Sequence, residues 1–127
     1  MNLIGVDWGR RKVGLAVSEE GWVEPWGVVE RVRVVGEIKE VCRKKKIEKI
    51  ILGLPEGRLA KQVAAFGQEL RRKTGLPVEL AAETLTSQDA VAKMREIGLK
   101  QKERQVEDAF AAALILESYV ERTKKNG

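Results

Sequence analysis

The run Lys49-Ile50-Ile51-Leu52-Gly53-Leu54, almost uniformly apolar and stopped by Pro55, constrains this chain more than any other segment. A strand with no polar alternation must be covered on both faces, which is the situation of a parallel strand in an α/β sheet. Its neighbours in sequence supply the cover. Val34, Val35, Ile38, Val41 and Cys42 recur at helical spacing before it, with Lys and Arg on the opposite face. Leu59, Val63, Phe66 and Leu70 mark a second amphipathic helix after it, closed by Thr74-Gly75.

Upstream, residues 2–8, 12–18 and about 22–30 read as strands of an antiparallel meander. The first turn is centred on Gly9-Arg10-Arg11 and the second on Glu19-Glu20-Gly21. Downstream, a short strand from Pro77 to Ala82 leads into Glu83, and Thr86-Ser87-Gln88-Asp89 reads as a capping box. The helix it opens carries Ala90, Val91, Met94 and Ile97 and ends at Gly98. A polar, basic connection, Lys100-Gln101-Lys102, precedes a long final helix from about Glu103 to Lys124. The order βββαβαβαα predicts an α/β fold, one domain over residues 1–127, with a mixed five-stranded sheet and helices on both faces. The first strand is then central and the two later strands run parallel to it. Their carboxyl ends share the edge at which open α/β sheets form sites.

Among 127 residues there is no histidine. Ser-His-Asp and Cys-His catalysis within the chain are excluded, as is any His-ligated zinc site. A bound metal would take mainly oxygen ligands, which points to Mg²⁺ or Mn²⁺. The single cysteine, Cys42, allows no internal disulfide and sits on an apolar stripe as a small buried side chain. With 43% hydrophobic and 34% charged residues, no apolar run of membrane-spanning length and no signal-peptide pattern, a soluble cytoplasmic protein without a membrane partner is expected. The net charge of +5 fits a polyanionic partner without specifying one.

Three acids converge in this topology. Asp7 ends the first strand, Glu83 directly follows the last, and Asp108 lies in the first turns of the final helix. At 100° per residue Asp108 shares a stripe with Ala112, Ile115 and Tyr119, an odd place for a charge. Singly, each acid has an ordinary explanation: Asp7 beside Arg10, Arg11 and Lys12, Glu83 at a helix N-terminus, Asp108 at the positive end of its helix. Together at one sheet edge, three carboxylates repel one another unless a divalent cation screens them. Such clusters serve two-metal phosphodiester cleavage. Arg10, Arg11 and Lys12 on one side, and Lys100, Lys102 and Arg104 on the other, could hold a phosphate backbone. Lys44-Lys45-Lys46 reads instead as a solvated charge run. Trp8, Trp22 and Trp26 fall on strands, where core or sheet-face packing is commoner than base stacking.

The segments "GVDWGRRKVGLAVS", "IILGLP", "ETLTS" and "EDAFAAALILESYVE", in this order over nearly the whole chain, resemble the YqgF family of pre-16S rRNA nucleases, also called Holliday-junction-resolvase-like proteins. The resemblance implies an RNase H-like fold, metal-dependent endonuclease activity and a role in maturing the 5′ end of 16S ribosomal RNA. It implies precursor 16S rRNA as partner, structured DNA as an alternative, association with ribosomal particles, and a monomer or homodimer. The family's acids fall on Asp7, Glu83 and Asp108, which would be both metal ligands and catalytic residues. Where the family carries an Asp-Glu-Arg triplet, this chain has Ala82-Glu83-Thr84, and a position commonly arginine is Lys12. The loop after Pro55 is short and lacks the family's Asp-Gly segment. Those departures support one rival, a non-catalytic nucleic-acid-binding module of the same fold, while a junction resolvase acting on DNA is a variant of the nuclease reading that would require a dimer. A nucleotide-binding protein of the actin and hexokinase class is disfavoured, because the chain has no room for a second lobe.

Overall fold

The computed structural model describes residues 1–9, 11–54, 59–82 and 106–126. Over these the chain forms β1 (Leu3–Trp8), β2 (Lys12–Glu19), β3 (Trp22–Glu30), a 3-10 turn at Arg31–Arg33 and α1 (Val34–Lys44). It continues as β4 (Lys49–Leu54), α2 (Ala60–Thr74), β5 (Val78–Ala82) and the C-terminal helix α3 (Val106–Asn126). The helix expected over Ala90–Ile97 lies outside the described residues.

The sheet has the order β3-β2-β1-β4-β5. β3, β2 and β1 pair antiparallel, and β1, β4 and β5 pair parallel, so the first strand is central as the element order requires. The β2–β3 hairpin closes through Glu20 (φ 53°) and Gly21 (φ 85°). Two consecutive positive φ values match the twist of the flanking strands, the reason such turns dominate short hairpins.

Period-two alternation along β1 divides the core into two layers. Ile4, Val6 and Trp8, with Val13, Leu15 and Val17 of β2, pack beneath Val34, Ile38 and Val41 of α1 and Val63, Phe66 and Leu70 of α2. On the other face Leu3, Ala16, Val23, Ile51 and Ala81 meet Ala112, Ala113, Ile115, Leu116 and Val120 of α3. β4 gives Ile50 and Leu52 to the first layer and Ile51 to the second, which explains its uninterrupted apolar run.

The second layer is thin because its residues are small, and α3 comes close to the sheet. A Cβ at Gly5 would lie 3.0 Å from the Ala112 carbonyl oxygen and 3.0 Å from Leu116 Cβ. At the far end of the helix, Lys49 Nζ donates to the Tyr119 hydroxyl at 2.8 Å and pairs with Glu79 at 3.0 Å. Tyr119 therefore sits at the amino end of β4, and α3 runs opposite to β1 and β4. Its N-terminal turns lie toward the carboxyl ends of the parallel strands.

The aromatic residues divide by strand position. Trp8 on the central strand is buried, whereas Trp22 and Trp26 on the outer strand β3 are 66% and 39% exposed. Of the lysine run after α1, Lys44 and Lys46 are exposed. Lys45 is held, pairing with Glu19 at 2.9 Å with its ammonium 5.5 Å from the Trp26 ring. Cys42 is half-buried against the first layer. No helix among the described residues is long and apolar enough to cross a membrane.

Candidate active site

Asp7 is the penultimate residue of β1, half-buried at the carboxyl end of the central strand. Alternation sets it on the face of Leu3 and Gly5, toward α3, while Val6 and Trp8 face the other helices. Its partner across β2 is Gly14. On the other side Val6 pairs with Leu52, so continuing the register by one residue brings Gly53 beside Asp7. Both sheet positions beside Asp7 are thus glycines. The turn that follows depends on close backbone approach, since a Cβ at Gly9 would lie 2.3 Å from the Lys12 carbonyl oxygen. The Asp-Trp-Gly sequence therefore places an acid on a strand end and folds the chain back within a few residues.

The level of Asp108 follows from the Gly5 contact. Two residues along β1 from Gly5 to Asp7 span about 6.6 Å. One turn back along α3, from Ala112 to Asp108, spans about 6 Å in the same direction. The backbone of Asp108 thus lies within about one helical turn of the level of Asp7. Ala112 and Ile115, which share its stripe in sequence, are buried, and Tyr119 packs on the same layer. The third acid, Glu83, lies outside the described residues. β5, which ends immediately before it at Ala82, runs parallel to β1 through β4, with Gly53 beside Ala81 and Leu54 beside Ala82.

Of the cations singled out in the sequence, Arg11 and Lys12 are exposed at the start of β2. Arg10, Lys100, Lys102 and Arg104 lie outside the described residues. Arg31 was missed. Its backbone N–H donates to the Arg11 carbonyl at 2.9 Å, and its guanidinium carbon lies 4.3 Å from the centre of the Trp8 ring. Trp8 in turn packs on Phe66, with ring centroids 4.1 Å apart and planes tilted by 40°. Arg11, Lys12, Glu30, Arg31 and Val32 line a cavity of about 310 Å³. The signal in the sequence was Arg31-Val32-Arg33, two arginines between the end of a strand and the first apolar residue of a helix.

A central strand paired antiparallel on one side and parallel on the other, helices on both faces and an acid at the strand's carboxyl end define the RNase H-like class. *Thermus thermophilus* RuvC in complex with a Holliday junction substrate superposes with a TM-score of 0.68 at 22% identity, over 97% of this chain and 96% of that one. A second structure of Thermus thermophilus RuvC superposes with a TM-score of 0.63 at 20% identity, over 97% of each chain. The chain itself belongs to the Holliday junction resolvase family RuvX, whose model matches residues 1–122. Relatives from *Moorella thermoacetica* and *Anaeromyxobacter* sp. strain Fw109-5, both named as pre-16S rRNA nucleases, are 32% and 35% identical over 100% and 95% of this chain. They are covered over 99% and 97% of their own lengths.

Proposed function

We propose that this protein is a metal-dependent endonuclease that hydrolyses phosphodiester bonds in precursor 16S rRNA during maturation of its 5′ end. The observation that carries the reading is Asp7, half-buried at the carboxyl end of the central strand between glycine positions and level with the start of α3. Carboxylate oxygens without histidine or thiolate suit Mg²⁺ or Mn²⁺, and Asp7, Glu83 and Asp108 would hold the ion. Such a cation supplies activation of water and stabilisation of the leaving oxygen.

In this reading the chain's own groups do the positioning. Asp7 would hold the ion at the end of the buried central strand, and the close approach of α3 at Gly5 would set how near Asp108 comes. Arg11 and Lys12, with Arg10, Lys100, Lys102 and Arg104, hold the phosphate backbone by charge. The names of the relatives favour a ribosomal RNA precursor as substrate; in this reading it is met in the cytoplasm, free or within an assembling particle. The family description favours a second substrate, the four-way DNA junction, which would need two copies of this domain acting on opposed strands.

The test is cleavage of a 16S precursor RNA and of a four-way DNA junction with Mn²⁺, Mg²⁺ or chelator, comparing the native protein with Asp7→Asn. Metal-dependent cutting should fall by roughly a hundredfold or more in the variant, about the loss of one well-placed charge at a reacting centre. A native rate in Asp7→Asn sinks the scheme. Binding with no cutting by the native protein would leave a non-catalytic binding module.

A further inference from the structure

We propose that Arg31, together with Arg11 and Lys12, forms a pocket that receives a backbone phosphate of the bound nucleic acid, neighbouring the phosphate that is cut. The inference rests on the nuclease reading and adds to it a place for the strand on the opposite side of the sheet edge.

The cavity lined by Arg11, Lys12, Glu30, Arg31 and Val32 holds about 310 Å³ and brings three cations against one acid. Among the described residues the lining carries more positive than negative charge, which favours an anion there. Arg31 is set in place from two directions. Its backbone is tied to Arg11, and its guanidinium lies over Trp8, which is itself buried on Phe66. A guanidinium stacked on an aromatic face keeps its planar fork in a defined orientation, the geometry that meets two phosphate oxygens at once. Lys12 adds a point charge beside it.

The position identifies which anion. Trp8 directly follows Asp7 on β1, and consecutive strand residues project to opposite faces. Arg31 over the Trp8 ring therefore lies on the opposite face of the strand end from the Asp7 carboxylate, where a neighbouring part of the same nucleic-acid chain would meet it. Val32, 88% exposed, lines the same opening and offers methyl groups to a sugar rather than to a free inorganic ion. A phosphodiester chain crossing the edge between β1 and the β3–α1 connection satisfies both.

The experiment measures binding of labelled single-stranded RNA, and of DNA with the same sequence, in chelator over a range of salt. Arg31→Met keeps an apolar stem against Trp8 but removes the charge. It should bind roughly tenfold more weakly at low salt, the loss of one charge-assisted contact. The slope of log affinity against log salt should shrink by about 0.7, one single-strand phosphate. Arg31→Lys, which keeps the charge over Trp8, should hold the slope and bind between the two. Lys39→Met, an exposed lysine of α1 outside the cavity, lowers the net charge equally and should change neither quantity. An Arg31→Met protein with native affinity and slope, or a loss matched by Lys39→Met, overturns the pocket. An effect on RNA with none on DNA overturns it too, because the contact would then be with the 2′-hydroxyl. Metal plays no part in this readout, so the pocket can stand if Asp7→Asn cuts normally, and fall if it does not.

Discussion

Gly5→Ala tests whether the packing of α3 on the central strand sets the chemistry. The added methyl would sit 3.0 Å from both the Ala112 carbonyl oxygen and Leu116 Cβ. Relaxed contacts of this kind lie near 3.5–4.0 Å, so α3 must withdraw by roughly 0.5–1 Å. Overpacking on this scale costs about 1–3 kcal/mol, and replacing a strand glycine returns about 0.5–1 kcal/mol of backbone entropy. The net loss lies between about 0 and 2.5 kcal/mol, a fall of up to roughly 10 °C in melting temperature for a chain of this size. Asp108 is on the same helix one turn from Ala112, so it moves with the contact while Asp7 stays on the sheet. A misplacement near 1 Å at a reacting centre costs up to about a hundredfold, and cleavage should drop by roughly 10–100-fold. Gly36→Ala is the matched control: it lies on an exposed part of α1 with nothing within 4 Å of the added atom. It should stabilise by about 0.5–1 kcal/mol and cut at the native rate. Thermal melts and metal-dependent cleavage of the two variants decide the matter. A Gly5→Ala protein that melts and cuts like the native one refutes the packing argument, and one that melts lower but cuts normally refutes the link from α3 to the site.

Two further outcomes follow from local chemistry. Glu20 holds φ 53° in the hairpin turn, a left-handed conformation in which Cβ crowds the following carbonyl and which Asn adopts more readily than Glu, so Glu20→Asn should gain about 0.5–1 kcal/mol in urea unfolding, and no gain would mean the turn is unstrained. Burial pushes the Cys42 thiol up from 9.0 to about 11, and the Tyr119 hydroxyl, then the Glu79 carboxylate, raise the Lys49 ammonium. Both groups bind protons more tightly when folded. Their contributions are complete below the unfolded values and are lost as pH rises, for Cys42 between pH 9 and about 11. Stability should therefore fall across that interval, and Cys42→Val should flatten the fall; a curve identical in both proteins would remove Cys42 as its cause.

The sheet was legible because its signals are periodic and local. Each strand from Leu3–Trp8 to Val78–Ala82 falls within one residue of its expected limits, as burial on one or both faces leaves a repeat that short turns cannot disguise. Asp7 was legible for the same reason, as a charge where the apolar repeat ends. Arg31 was not, because what distinguishes it is contact with Trp8 and Arg11, more than twenty and nineteen residues away in sequence, and no period connects them. Trp22 and Trp26 carry the same composition signal as Trp8. They differ only in being on the outer strand, beyond the cover that α1 gives the centre.

The neighbouring pair Asp7 and Trp8 ties the two halves of the proposed site to a single register. Ile4 and Val6 are fully buried under α1 and α2, and at Gly5 the missing side chain lets α3 approach to contact. A slip of β1 by one residue would drive Ile4 or Val6 against Ala112 and Leu116 and turn Asp7 toward Phe66. The core therefore forbids the slip, and in doing so it fixes the acid on the α3 face and the arginine's aromatic seat on the other. In the proposed scheme a nucleic-acid strand would be cut on one side of β1 and held on the other, with both sides set by that one register.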